Sequence, residues 1–358
     1  MSFKSLITVL LFFFITSTAL AASLDQTKIV IFGDSLSDID NNTWAEDTGK
    51  TGAPFTNIDE STSTRPLWVN YFFEKKFPTQ TILPSRIAEE QHIDLLGKNI
   101  DYAFASAETG DQYLNDHSGE IFPPYIDQVC HEAGQIAPGI YCVPGVLRQI
   151  STYLDAVHHP DSNTIFIIWA GGNDIFNNIT KLVALLQFKK SNEFHSQLMN
   201  SLSLTPVMNT LPKLSTPVIN LVRARDRLIE AGVNPNQIYF IDLPDLSKTP
   251  AATKLAGSSK LLLGAMHAIT VSFNTSLKLA LTKMPFSKNN LPESHIISIY
   301  DLLNTMMQNP QKYHFTHTTQ SCVNDDATPY CTGYIFFNDK HPTTEAGKLI
   351  AEKVAETI

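Results

Sequence analysis

The sequence predicts an α/β fold, a mostly parallel sheet covered by helices, and three observations carry that expectation. Short apolar runs recur at Ile29–Phe32, Tyr102–Phe104, Thr164–Trp169, Gln237–Ile241 and His295–Ile299, each of strand length and rich in Ile, Val and Phe. Longer segments with helical apolar spacing separate them, which is the alternation of a parallel sheet. Two of the runs end in polar turn residues, Gly33-Asp34-Ser35 and Gly171-Gly172-Asn173-Asp174, and strand ends are where open α/β sheets hold their ligands.

In chain order, the first element is an export signal. Lys4 gives a positive start, Leu6 to Ile15 is almost wholly apolar, and Ala19-Leu20-Ala21 suits cleavage before Ala22, so residues 1–21 are expected to be removed. The mature protein is then expected to be secreted or periplasmic. Its apolar stretch is short for a membrane span, and no later stretch approaches the ~20 apolar residues required. After the strand Ile29–Phe32, Asn41–Thr64 is rich in Thr, Asp and Asn and reads as a loop. Helices are expected at Pro66–Lys76, Val146–Val157, Pro217–Ala231, Lys260–Thr282 and Thr343–Glu356, the last bringing Ile350, Val354 and Ile358 onto one face. Extra length also gathers in Glu108–Tyr141 and Thr180–Pro212. Within the latter, Leu182–Phe188 followed by Lys189-Lys190 suits either an apolar lid that touches lipid or a helix packed on the sheet. There is no repeat or low-complexity linker, so residues 22–358 are expected to form one domain with loop insertions.

Composition narrows the partners. The formal charge is −9, and loss of Lys4 with the signal makes it −10, so bulk electrostatics argue against a nucleic-acid partner and favour neutral or zwitterionic substrates.

The chemistry begins at Gly33-Asp34-Ser35-Leu36-Ser37-Asp38, where a buried strand breaks and exposes a hydroxyl in a tight turn. A serine hydroxyl is a weak nucleophile at neutral pH, so it requires a base, an oriented proton path and donors for the developing oxyanion. His341, within Phe336-Phe337-Asn338-Asp339-Lys340-His341-Pro342-Thr343, supplies a base beside a carboxylate. Asn173 supplies a side-chain amide in the Gly-Gly-Asn-Asp turn that ends the mid-chain strand. Asp34 and Asp38 also suit turn capping, and Asn173-Asp174 an Asx turn. The histidines at 92, 131, 158 and 159 fall in loop-like sequence, and no pair has metal-ligand spacing.

These segments resemble, in order and over nearly the whole mature chain, the GDSL lipases and esterases of the SGNH hydrolase superfamily. The resemblance implies a three-layer α/β/α sandwich of flavodoxin-like arrangement, with no cofactor and no metal. It implies Ser35 as nucleophile, His341 as the triad histidine, and an oxyanion hole made of the Ser35 backbone N–H, a backbone N–H at Ser106 and the Asn173 amide. Two departures from the family pattern stand out. The family block Asp-x-x-His puts Asn338 in the acid slot and leaves Asp339 one place later; the charge of Asp339 favours it as the orienting group, although the register favours Asn338. The second block, usually Asn-Tyr-Ala-x-Gly-Gly-Ala, reads Asp101-Tyr102-Ala103-Phe104-Ala105-Ser106-Ala107, with both glycines replaced.

Among family members, the signal, the cysteines and the length look most like bacterial secreted phospholipase A, lysophospholipase and glycerophospholipid–cholesterol acyltransferase enzymes. That implies a phospholipid, lysophospholipid or other ester substrate, transient contact with a membrane surface, and an alcohol or sterol as an acyl acceptor besides water. A carbohydrate acetyl esterase would use the same residues, and a non-catalytic binding module on this fold is the reading from a different class. Four cysteines in an exported chain suit two disulfides, and the local pairing, Cys130 with Cys142 and Cys322 with Cys331, closes two short loops. The second loop lies just ahead of the His341 block and is placed to shape or gate the entrance.

Overall fold

Strand-forming runs that are predominantly apolar are buried on both faces, and four of the six strands of the central sheet are found where such runs occur. A computed structural model describes residues 26–41, 54–115, 134–137, 140–180, 205–285, 287–325 and 329–358. The expected signal at 1–21, Cys130 and the apolar run 182–188 lie outside the described residues, as does any pairing of Cys130 with Cys142.

The elements, in chain order, are β1 (Lys28–Gly33), α1 (Trp68–Lys76), β2 (Leu83–Pro84), α2 (Ser85–Glu90), β3 (Ile100–Asp101), β4 (Tyr113–Asn115), β5 (Gly134–Ala137), β6 (Ile140–Pro144), α3 (Val146–Val157) and β7 (Thr164–Trp169). A helical run over 172–180, α4, follows. Then come α5 (Thr205–Glu230), β8 (Ile238–Ile241), α6 (Pro250–Ala256), α7 (Lys260–Thr282), β9 (Ile296–Ile297), α8 (Ile299–Gln308), β10 (His317–Ser321), β11 (Tyr334–Phe336) and α9 (Thr344–Thr357).

The central sheet runs β2-β3-β1-β7-β8-β9, and every pairing in it is parallel. β1 and β7 align along their whole length, from Lys28 opposite Thr164 to Gly33 opposite Trp169. Side chains alternate across the strands. Val30 and Phe32 of β1, with Phe166 and Ile168 of β7, pack under α3, α5 and α7. Ile29 and Ile31, with Ile167 and Trp169, pack on the other face under α1 and α9. The result is a three-layer α/β/α sandwich. β3 lies on one side of β1 and β7 on the other, so a crevice opens at the C-terminal ends of β1 and β7, where the direction of winding reverses.

Several boundaries differ from expectation. The second strand is Ile100–Asp101 rather than Tyr102–Phe104. Tyr102 and Phe104 still donate to Ile31 and Gly33 of β1, but on the other edge the carbonyls of Asp101 and Ala103 accept from the Asn41 side chain, which ends regular pairing. The fifth strand stops at Ile297, because Ser298 caps α8 by accepting from the Asp301 N–H. α5 begins at Thr205, twelve residues ahead of Pro217, so that proline sits inside the helix rather than at its start. The 108–141 insertion contributes a three-stranded antiparallel sheet, β4-β6-β5. Cys322 and Cys331 form a disulfide between β10 and β11, as the local pairing anticipates. Among the described residues, no helix is long and apolar enough to cross a membrane.

Candidate active site

The turn after β1 is set by close approach. A Cβ at Gly33 would lie 2.5 Å from the Trp169 carbonyl oxygen, so glycine alone lets the end of β1 lie against β7. Gln149 of α3 clamps the same peptide from the other side. Its Oε1 accepts from the Gly33 N–H at 2.9 Å, and its Nε2 donates to the carbonyls of Gly33 (2.9 Å) and Pro144 (3.0 Å). The chain then folds back. The Asp34 side chain accepts from the Leu36 N–H, and the Asp34 carbonyl accepts from Ser37 and Asp38. Ser35 sits at the crest of this turn, 9% exposed. Burial pushes the Asp34 carboxyl up to about 7, against the Leu36 N–H and the nearby Lys340, both of which favour the anion.

Asp38 does more than cap its own turn: it accepts from Asp40 and Asn41 and also, at 2.7 Å, from the Ala105 N–H. Asp101 returns the tie by accepting from Ile39 and Ala103. These bonds weld the Ser35 turn to the 101–107 segment.

His341 arrives from the opposite end of the sequence. Its Nε2 lies 2.6 Å from Ser35 Oγ, and its Nδ1 lies 2.9 Å from Asn338 Oδ1. Asn338 Oδ1 also accepts from the backbone N–H groups of Lys340 and His341, both at 3.0 Å, which fixes oxygen rather than nitrogen toward the ring. Nδ1 therefore carries the proton and Nε2 presents its lone pair to Ser35. Burial, with the like charge of Lys340, holds the imidazole pKa down at about 3, so the ring is neutral at physiological pH.

The preference for Asp339 as the orienting group is corrected here. Its carboxylate is turned outward, to Lys254 Nζ at 2.7 Å and Asn324 Nδ2 at 2.6 Å, while its carbonyl accepts from Ala251. A residue two positions before His341 faces away from the turn that Asn338 closes.

Asn173 lies in the first turn of α4, four residues past the end of β7, and its Nδ2 donates to the Ala107 carbonyl at 3.0 Å. One amide hydrogen is thus used to anchor the 101–107 segment and the second remains. Neighbouring Asp174 is buried and structural. It accepts from the N–H and hydroxyl of Thr109, and burial next to Glu108 pushes its pKa up to about 8. Ser106 is exposed and holds φ at +68°, a conformation that glycine ordinarily supplies, which explains how the segment keeps a glycine-like bend without a glycine. His92, His158 and His159 are exposed, as loop placement predicts, and His131 lies outside the described residues. No group of three or more His, Cys, Asp or Glu is placed to hold a metal among the described residues.

Ser35, Asn173 and His341 line one pocket that encloses about 760 Å³ of free space, open mouth included. Its inner wall is apolar, formed by Leu243, Leu246, Ile299, Leu303, Met306 and Ile350, and Lys340 contributes a cation. Sequence reading missed Gln149 and Lys340. Gln149 carried a signal, a carboxamide on the otherwise apolar buried face of α3.

A serine hydroxyl bonded to a neutral, oriented imidazole at the switch point of a doubly wound sheet defines a serine-type acyl hydrolase site. The chain belongs to the GDSL-like lipase/acylhydrolase family, whose model matches residues 29–354, and it is an ester hydrolase of that family. No match is found among curated proteins.

Proposed function

We propose that the chain is an exported hydrolase of lipid esters that works through an acyl-serine, with Ser35 as nucleophile, His341 as base and Asn338 as its orienting partner. The observation that carries this reading is the 2.6 Å contact between Ser35 Oγ and His341 Nε2 at the head of an apolar pocket. His341 Nε2 takes the Ser35 proton as Oγ attacks the ester carbonyl, and the carbonyl electrons move onto oxygen. That oxyanion is received by the backbone N–H groups of Ser35 and Ser106 and by the second Asn173 amide hydrogen. Collapse expels the alcohol, which takes the proton from His341. Water then repeats the sequence to release the acid, or a second alcohol takes the acyl group.

An apolar wall beside the nucleophile suits an acyl chain better than a hydrophilic sugar, which supports phospholipid and lysophospholipid substrates met at a membrane surface. Residues 1–21 as an export signal fit a disulfide-bonded chain, since disulfides persist in oxidising compartments.

Treating the mature, oxidised protein with a fluorophosphonate probe should give a covalent adduct at Ser35 by mass spectrometry, lost in Ser35→Ala and in His341→Ala. Ordinary turnover by a folded Ser35→Ala variant would end the assignment. A chain-length series of p-nitrophenyl esters then reads the substrate class. Rates that rise beyond acetyl support lipid, a sharp acetyl preference supports carbohydrate ester chemistry, and a folded protein that neither labels nor turns over any ester points to a binding role.

A further inference from the structure

The His341 ring has a second neighbour. Phe55 stacks on it with ring centroids 4.9 Å apart and planes 17° from parallel. The residues after Phe55 are fastened to the elements that carry His341. Thr56 Oγ1 donates to the Pro342 carbonyl at 3.2 Å. Asn57 exchanges bonds with Thr344, donating to its hydroxyl and accepting from its N–H at 2.9 Å each, and also donates to the Tyr330 carbonyl inside the disulfide loop. Asp59, buried, pairs with Lys348 of α9 at 2.8 Å and accepts from the Tyr71 hydroxyl. The 55–59 segment is thus clasped along the His341 turn and α9, and the aromatic ring is held against the imidazole from outside.

The charges around His341 give this contact its meaning. Transfer of the Ser35 proton breaks the O–H bond, forms N–H at Nε2 and leaves the ring with a full positive charge. Lys340 opposes that charge. The carboxyl of Asp34 is bonded to the Leu36 N–H and lies within electrostatic range of Lys340, and that of Asp339 is bonded to Lys254 and Asn324. Asn338 orients the ring but is neutral. Phe55 is also in contact with the ring, and its face carries negative charge density and attracts cations within about 6 Å of its centroid.

We propose that Phe55 is a positioning residue that stabilises the His341 imidazolium through its π face, supplying attraction that the neutral Asn338 does not. The inference rests on the hydrolase reading above. It assigns a role to a residue outside every motif of the sequence, and predicts that Phe55 and Asn338 are energetically coupled.

The test compares the mature full-length protein with Phe55→Leu, Phe55→Tyr, Asn338→Asp and the Phe55→Leu/Asn338→Asp double variant, using a short-chain p-nitrophenyl ester, with thermal midpoints as a folding control. Phe55→Leu should lower kcat roughly three- to thirty-fold with KM nearly unchanged, the range that a cation–π contact spans. Phe55→Tyr, which keeps the ring, should retain kcat within about twofold. In the Asn338→Asp background, where a carboxylate stabilises the imidazolium, loss of the Phe55 ring should cost markedly less. Pentafluorophenylalanine at position 55 keeps the ring shape and reverses its electrostatic face, so it should lower kcat at least as far as Leu and decides the matter should Phe55→Leu fold poorly. An unchanged kcat in Phe55→Leu or the fluorinated variant, or an equal loss in both backgrounds, overturns the inference while leaving Ser35 labelling intact. Absence of Ser35 labelling in the unaltered protein removes the hydrolase reading and this inference with it.

Discussion

Asn338 decides how the base of this site behaves. An asparagine that turned its amide nitrogen to the ring would hold the wrong tautomer, as in triads whose aspartate is replaced. Here two backbone N–H groups pin the oxygen toward Nδ1, so tautomer control survives although charge is absent. Removing that oxygen frees the ring. Asn338→Ala should therefore lower kcat/KM on the order of 10²-fold, the scale of general-base catalysis. Asp339→Ala should change it by less than about threefold, since it loses a half-exposed pair with Lys254. Steady-state kinetics on a soluble ester checks both, and the reverse ranking would restore Asp339 to the site. Asn338→Asp carries a pH signature: a carboxylate at Nδ1 favours imidazolium, so the acid limb of kcat/KM should move up from the neighbourhood of the depressed value, about 3, toward neutrality.

At the scale of elements, the nucleophile turn depends on how β1 meets β7 and α3. Gly33→Ala would drive a methyl into the Trp169 carbonyl, backbone that cannot swing aside, and should destabilise the fold by about 1–3 kcal/mol or more. Gln149→Leu is close in size but strands the Gly33 N–H and two carbonyls in a buried setting, with a cost of about 1–3 kcal/mol at the N–H alone. Urea unfolding with unchanged m-value measures each, and a loss below about 0.5 kcal/mol in either variant would deny the clamp its role. These elements were unequally legible in sequence. β1 and β7 announce themselves because buried parallel strands are predominantly apolar, and Ser35 and Asn173 follow because each lies in the polar turn just after such a run. α8 was hidden inside an apolar run whose Ser298 is a helix cap, and the start of α5 was obscured by Pro217, which reads as a first-turn residue. Asp339 misled because charge is visible in a sequence whereas the direction of a turn is not. Phe55 is silent in the sequence because its partner lies far away in the chain, and Gln149, though odd on an apolar face, does not reveal that its partner is Gly33, 116 residues away.

Across the whole molecule, buried carboxyls set the response to pH. Burial raises Asp174 to about 8, Asp34 to about 7 and Asp242 to about 6, and raises Asp101 as well. A carboxyl whose folded pKa exceeds its unfolded value binds more protons when folded, so stability falls as pH rises through that interval. His341 and His295 are lowered from 6.5, and their effect is opposite in sign but confined to pH below 6.5. From pH 6.5 to about 8 the carboxyls act unopposed by these histidines. The thermal midpoint should accordingly decline over that range, and Asp174→Asn, which keeps an acceptor for Thr109, should flatten the decline. A midpoint that rises from pH 6.5 to 8 would show these carboxyls to be ionised throughout. Finally, 306 residues separate Ser35 from His341. A growing chain makes its hydroxyl some three hundred residues before the imidazole that pairs with it. Any nascent or truncated form that stops short of His341 therefore holds the Ser35 hydroxyl without the imidazole that contacts it.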